Sequence, residues 1–123
     1  HAGWRGTAKG IVGKAVREME KLGARKDTIT ALLGPSIGPC CYEVRDDVHA
    51  IFRDAGFPEP VFKKKKGTLF FDLRAANTWV LQEEGIERAY DAGLCTFCNG
   101  SLFHSYRRGD VNTRQINFVS IDR

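Results

Sequence analysis

The sequence predicts an α+β fold, with a mixed β-sheet and about three helices packed on its outer face. Three observations predict it. Apolar residues recur with a helical period in three segments, short β-branched or aromatic runs lie between them, and glycine or proline bounds both kinds of segment. The chain has 123 residues, 42% hydrophobic and 28% charged, so we expect residues 1–123 to form a single domain around one core.

Three segments predict helices. In residues 7–22, "TAKGIVGKAVREMEKL", the apolar side chains form one stripe, with Thr7 as the N-cap and Gly23 as the C-terminal stop. Residues 43–54, "EVRDDVHAIFRD", and residues 74–85, "RAANTWVLQEEG", have the same apolar spacing. Each helix therefore has one face to bury against a sheet.

Shorter runs of apolar, β-branched and aromatic residues predict strands. The lysines at 63–66, followed by Gly67, predict a solvated loop or hairpin tip between two of these strands. Two Gly-Pro steps in residues 34–43, "GPSIGPCCYE", predict an irregular loop, and residues 94–114 predict a second one. The predicted strands are residues 28–34 ("TITALLG"), 68–73 ("TLFFDL"), 86–91 and 115–121 ("QINFVSI").

The charge pattern and the lengths of the apolar runs argue against two classes of partner, nucleic acids and membranes. The net charge of +4 is due largely to the lysine run, and the other basic residues are scattered among acids, so we expect no nucleic-acid partner. No apolar run approaches the roughly 18 residues of a membrane span, so we expect no membrane partner. The first residues resemble neither a signal nor a transit peptide, and we expect a cytoplasmic protein.

Four cysteines allow two interpretations. Cys40 and Cys41 are adjacent, and Cys95 and Cys98 form "CTFC", so a four-cysteine zinc site is one interpretation. Adjacent cysteines project in different directions, however, and rarely bind one ion together. Small buried thiols are therefore the favoured interpretation, because free cysteine is among the most buried residue types.

Two stretches offer candidate functional side chains. His1 opens "HAGWRG", whose glycines would allow the backbone and Arg5 to approach a ligand, so this imidazole could bind a metal or act as a base. In "LFHSYRRGDVNTRQ", residues 102–115, arginines and hydroxyl groups suit a phosphate or a ribose, although surface charge is the simpler interpretation. We expect one of Arg107 and Arg108 to face a pocket and the other solvent.

Taken together, four blocks resemble the YfiH-like laccase-domain proteins. They are "HAGWRGTAKGIV", "GPSIGPCCYEV", "FFDLRAAN" and "CTFCNGSLFHSYRRGD", and they come in the order of that family over nearly the whole chain. The family was long labelled multicopper polyphenol oxidase and is now viewed as purine nucleoside phosphorylase and adenosine deaminase. The sequence departs from its pattern at His104, where the family has an aromatic residue, and around Arg114.

The resemblance implies a zinc enzyme acting on a purine nucleoside and phosphate. It implies that His1 is one of three zinc ligands, and that the other two, a His and a Cys, lie in earlier blocks that are absent here. The chain is then expected to be the C-terminal half of a family member, lacking its N-terminal half and inactive alone. Arg5, Tyr106 and Arg107 are the expected phosphate or ribose contacts. The alternatives are a copper-dependent polyphenol oxidase, for which three histidines are too few, and a non-catalytic binding module.

Overall fold

The computed structural model describes residues 1–120 and has the predicted α+β class. Four α-helices and five short strands alternate along these residues, with a 3-10 turn at Glu59–Val61 and another at Tyr106–Arg108. None of the helices in this range combines the length and the apolar character needed to cross a membrane. The elements in chain order are α1 Trp4–Ala8, α2 Ile11–Lys21, β1 Thr30–Leu33, β2 Glu43–Val44, α3 Asp46–Asp54, β3 Phe62–Lys65, β4 Thr68–Phe71, α4 Leu73–Glu83 and β5 Arg88–Asp91.

The strands pair in two separate sheets. β1 and β5 are parallel, with Thr30 opposite Arg88 and Leu33 opposite Asp91. The second sheet is antiparallel, in the order β2-β4-β3. Its β3–β4 hairpin turns at Lys66 and Gly67, which both have positive φ, as the favoured two-residue hairpin turn requires. The lysine run was predicted as a hairpin tip, and its first three lysines lie instead in β3 beside that tip.

Two hydrophobic clusters form the core. Next to the antiparallel sheet, Phe52 and Phe71 are fully buried, with their ring centroids 4.5 Å apart. Phe62 stacks on Phe71 at 4.7 Å, so aromatic packing joins α3 to this sheet. The second cluster joins α2, α4 and the parallel strands, and comprises Val16, Ile29, Leu81 and Ile86.

The predicted first helix is two helices in the structure. Gly10 has φ of 73°, a left-handed conformation that interrupts the helix between α1 and α2. Thr7 is not an N-cap, since it lies buried inside α1, which begins at Trp4. The apolar stripe was predicted, but the same helical period continues through both helices, so the sequence pattern did not indicate the break at Gly10.

One helix boundary and one strand prediction also need correction. Residues 43 and 44, predicted as the start of a helix, form β2, in which Glu43 pairs with Phe70 and Val44 with Leu69. Residues 115–120, predicted as a strand, are irregular and exposed, and Ile121 lies outside the described residues. The alternating pattern of 115–120 suits a strand, but within residues 1–120 no other strand pairs with it.

We predict that Phe52→Ala lowers the free energy of unfolding by about 3–5 kcal/mol, because it empties the centre of the aromatic cluster. Phe118→Ala is the matched control, since that ring is 90% exposed whereas Phe52 is 0% exposed. We expect the control to change stability by less than about 0.5 kcal/mol. Urea unfolding followed by circular dichroism measures both, and equal losses in the two variants would contradict the core assignment.

Candidate functional site

The sequence-predicted site residues line one cleft of about 1190 Å³. α1 forms one wall, the end of β1 and residues 34–37 form the floor with α4, and residues 104–107 and 113–117 form the opposite side. A smaller concavity of about 360 Å³ beside Gly85 and Ile86 contains none of the predicted residues. The predicted residues that line the large cleft are His1, Arg5, His104, Tyr106, Arg107 and Arg114.

The first wall depends on glycine and on a buried hydroxyl group. His1 folds back on the chain, with Nε2 only 2.9 Å from the position that a Cβ on Gly3 would occupy, so a side chain at residue 3 would displace the imidazole from this position. Thr7 Oγ1 lies 3.2 Å from the Ala2 carbonyl oxygen and 3.1 Å from Asn77 Oδ1, which ties this segment to α4. The Arg5 guanidinium lies 4.4 Å from the centroid of the Trp4 ring, a cation–π contact.

The adjacent arginines have different environments. Arg107 lines the cleft, donates a hydrogen bond from Nη1 to the Glu43 carbonyl at 3.1 Å, and lies 5.4 Å from the centroid of the Tyr42 ring. Arg108 was expected to face solvent if Arg107 faced the pocket. Instead it donates to the backbone carbonyls of its own loop, because residues 106–108 form a 3-10 turn rather than a strand. Its acceptors are the carbonyl oxygens of Thr96, Phe97 and Phe103 and the carboxylate of Asp110.

Tyr42 is the point at which two of the cationic groups converge. Burial raises the pKa of its phenol, and the positive charges of Arg107 and Arg5 oppose that rise. These two guanidinium groups come from opposite walls and act on the same ring. The cleft therefore has a positive potential that suits an anion.

Two cleft residues were missed as site candidates. The side chain of Arg74 is 15% exposed, and it faces Asp91 at 3.5 Å through Nη1. Its Nε atom and Ser36 Oγ are buried and have no hydrogen-bond partner within residues 1–120. Buried polar atoms without partners are uncommon in native proteins, so they mark a position where a ligand or water could bind. The pattern offered no signal for them beyond their membership of "GPSIGP" and "FFDLRAAN".

The four cysteines are close together, contrary to the favoured interpretation of separate buried thiols. Cys95 is buried, Cys41 is half-buried, and Cys40 and Cys98 are exposed. Their Sγ atoms all lie within 4.8 Å of one another. Burial raises the pKa of the Cys41 and Cys40 thiols. Burial also raises the pKa of Cys95, but the N–H groups of Gly38 and Cys98 and the neighbouring thiols outweigh it and leave this pKa at about 6.

This cysteine cluster is the one group of three or more potential metal ligands found within residues 1–120. It could bind a metal ion. His1 is not part of it, so these residues do not complete a three-ligand site around the imidazole. His49 is also elsewhere, since its Nε2 lies 3.0 Å from Glu59 Oε2, outside the cleft.

The chain matches a family model over residues 1–122, described as multi-copper polyphenol oxidoreductase laccase. It is similar to a purine nucleoside phosphorylase of Aquifex aeolicus (strain VF5), with 38% identity over 98% of this chain and 54% of that protein. It is also similar to adenosine deaminase RL5 of an unknown prokaryotic organism, with 40% identity over 92% of this chain and 45% of that protein. The chain thus spans about half the length of these curated relatives.

A solved structure has the same fold. The crystal structure of the hypothetical protein YfiH of Bacillus licheniformis matches with a TM-score of 0.81 and 37% sequence identity, over 90% of this chain and 43% of that one. The backbone arrangement that forms the cleft is therefore similar in a solved protein of about twice the length.

We predict that acid loosens the loop that carries Arg107. The Ser105 N–H donates to Asp110 Oδ2 at 2.8 Å, and this bond, with the Arg108 charge, holds the pKa of Asp110 below its ordinary value. The lowered pKa means that the contact stabilises the loop above about pH 4 and is lost as the pH falls further. An NMR titration of the Ser105 amide should show a midpoint below that of an ordinary aspartate.

Asp110→Asn should abolish this titration, whereas Asp54→Asn, at an exposed position of α3 away from this loop, should leave it unchanged. A Ser105 midpoint at or above the ordinary aspartate value would contradict the assigned contact.

Proposed function

The chain belongs to the family described as multi-copper polyphenol oxidoreductase laccase, and from that premise we propose that it forms part of a purine nucleoside phosphorylase. We propose further that it is a single domain corresponding to the C-terminal half of such a protein, and that the same site deaminates adenosine. The observation that carries the proposal is the cleft, in which guanidinium groups, aromatic rings and unpartnered polar atoms face one space. The names of the relatives support a purine nucleoside as the substrate class.

On this proposal the arginines bind phosphate and the aromatic rings contact the nucleoside. Arg107 and Arg5 converge on Tyr42 from opposite walls, and a guanidinium fork can hold two phosphate oxygens at once. Arg74 Nε and Ser36 Oγ offer two donors that have no partner within residues 1–120. Tyr106, which is 76% exposed, offers an aromatic face and a hydroxyl group at the rim of the cleft.

The proposed reaction transfers the ribosyl group from a purine to phosphate. A phosphate oxygen forms a bond to C1′ of the ribose while the bond from C1′ to the purine nitrogen breaks. The bonding electrons pass to the purine, which leaves with one proton. Positive charge develops on the ribose in the transition state, and arginines that hold the phosphate near C1′ would lower the barrier mainly by positioning. Deamination of adenosine would add water at C6 and release ammonia.

We propose that zinc takes part and that His1 supplies one ligand. The described residues do not complete this site, because His1 lies outside the one group of potential ligands found among them. On the proposal a cysteine and a second histidine come from the part of the longer relatives that this chain does not match. When bound at such a site, zinc lowers the pKa of a water or stabilises developing negative charge.

The copper oxidase alternative has less support from the geometry. Of the three histidines, His1 and His104 line the cleft, whereas His49 contacts Glu59 and the Phe62 ring elsewhere. A cluster of several copper ions needs many more imidazole ligands than this chain provides. A non-catalytic binding module would instead be a stable monomer or dimer that binds no metal.

We predict that the longer protein, in which this chain is joined to the missing segment, releases hypoxanthine from inosine only when phosphate is present. The 123-residue chain alone should release none, because its His1 lacks the other two ligands.

Arg107→Lys in the longer protein should raise the KM for phosphate about tenfold or more, since lysine cannot hold two phosphate oxygens in the same fork. A coupled assay for hypoxanthine measures all three results.

Arg88→Lys is the matched control, because Arg88 is exposed on β5 and outside the cleft, and it should leave the KM for phosphate unchanged. Hypoxanthine release that does not require phosphate would contradict phosphorolysis. Turnover by a preparation that contains only the 123-residue chain would contradict the need for the missing segment.

A further inference from the structure

The four cysteine sulfurs have the spacing of ligands around one small ion. Cys98 Sγ lies 3.6 Å from Cys40 Sγ and 3.3 Å from Cys41 Sγ, and all four sulfurs lie within 4.8 Å of one another. In a tetrahedral zinc site with bonds of about 2.3 Å, the sulfurs are about 3.8 Å apart. The separations of 3.3 and 3.6 Å are slightly shorter than this distance, and all four sulfurs are close enough together to surround one ion.

The backbone explains how two adjacent cysteines can face the same point. Cys41 N–H and Tyr42 N–H both donate to the Gly38 carbonyl at 3.0 Å, so the chain turns tightly there. An extended chain would send the two thiols to opposite sides, whereas this turn brings both towards Cys98. The objection that the sequence raises against a four-cysteine site therefore does not apply to this conformation.

The two loops that supply the cysteines are already held together without metal. Ser36 N–H donates to the Leu94 carbonyl at 3.2 Å, and Thr96 N–H donates to the Ser36 carbonyl at 3.0 Å. Gly38 N–H donates to Cys95 Sγ at 3.2 Å, as an N–H group does to a metal-bound thiolate. Two ligands from each loop thus converge, and an ion between them would join residues 34–43 to residues 94–98.

We propose that Cys40, Cys41, Cys95 and Cys98 bind one zinc ion that joins residues 34–43, which form part of the cleft floor, to residues 94–98. Four thiolates in a compact group are a common ligand set for structural zinc. Each ligand that is still a thiol releases its proton to solvent on binding, the oxidation state of zinc is unchanged, and four thiolates give a site charge of −2. This site is independent of His1 and of the proposed phosphorolysis.

A nearby guanidinium group offsets part of that negative charge. Arg74 Nη2 and Cys40 Sγ each lie 3.3 Å from the position that a Cβ on Gly38 would occupy, so they are neighbours across that glycine. Arg74 also lines the cleft. Arg74 thus lies near both the cysteine cluster and the cleft.

A disulfide is the competing outcome for these thiols. Cys41 and Cys98 are the nearer pair at 3.3 Å, far longer than the 2.03–2.05 Å of a disulfide bond. A disulfide would use two of the sulfurs and leave the other two beside it without a partner. One ion uses all four, which is why we favour zinc.

The test is the metal content of the 123-residue chain, purified under reducing conditions after expression in zinc-supplemented medium. Inductively coupled plasma mass spectrometry should find about one zinc ion per chain. Cys41→Ser and Cys98→Ser should each raise the Kd for zinc at least about 100-fold in competition with a chelator. His1→Ala and Ser101→Ala, which leave the cysteines intact, should keep the wild-type zinc content.

Cobalt gives a second readout on the wild-type chain that does not depend on whether the variants fold. Added cobalt(II) should produce the intense visible bands of a tetrahedral thiolate complex, and zinc should displace them. Absence of both zinc and these bands would overturn the proposal. So would iron in place of zinc, zinc lost on His1→Ala, or an intact mass lower by two hydrogens without metal, which would identify the disulfide.

Discussion

Helix α4 is the constraint on which both cores and the cleft depend. Leu73 and Ala76 belong to the aromatic cluster near the antiparallel sheet, whereas Leu81, two turns later, belongs to the cluster beside the parallel strands. Asn77 lies between Leu73 and Leu81 on the same side of the helix, where it accepts a hydrogen bond from the buried Thr7 hydroxyl and so holds the segment that carries His1 and Arg5. A shift of this helix would therefore disturb two cores and a wall of the site together, because close-packed interiors transmit displacement.

The start of α4 is fixed by polar contacts, and this determines where Arg74 lies. The Asp72 carboxylate accepts a hydrogen bond from Ala75 N–H at 3.0 Å, and Asp72 N–H donates to the Val61 carbonyl at 2.7 Å. Arg74 follows within the first turn, facing Asp91 at the end of β5. The N-cap thus places the Arg74 guanidinium near both the cleft and the cysteine cluster. Arg74 Nε has no hydrogen-bond partner among the described residues.

Sequence patterns predicted the elements that have their own periodicity. The helical spacing of 43–54 and 74–85 corresponds to α3 and α4, because each helix buries one stripe against a core. Patterns failed where a partner decides the structure. Residues 115–120 alternate like a strand, yet the described part of the chain pairs no strand with them, and Phe118 is 90% exposed. A strand is defined by its neighbour, and the pattern of one segment does not show whether such a neighbour exists.

Part of the cleft lining was predictable from the sequence, but the directions of its side chains were not. The sequence assigned His1, Arg5, Tyr106 and Arg107 to one pocket, and they line one cleft, although their roles stay predictions. For the arginine pair and for the adjacent cysteines, the direction of neighbouring side chains was inferred from an extended backbone. Because of a 3-10 turn, Arg108 donates hydrogen bonds to backbone carbonyls of its own loop. A turn at Gly38 brings the thiols of Cys40 and Cys41 to the same point. The direction of a side chain depends on the local backbone dihedral angles. In irregular loops these angles follow no sequence period, so the sequence pattern does not predict which side chains meet at a site.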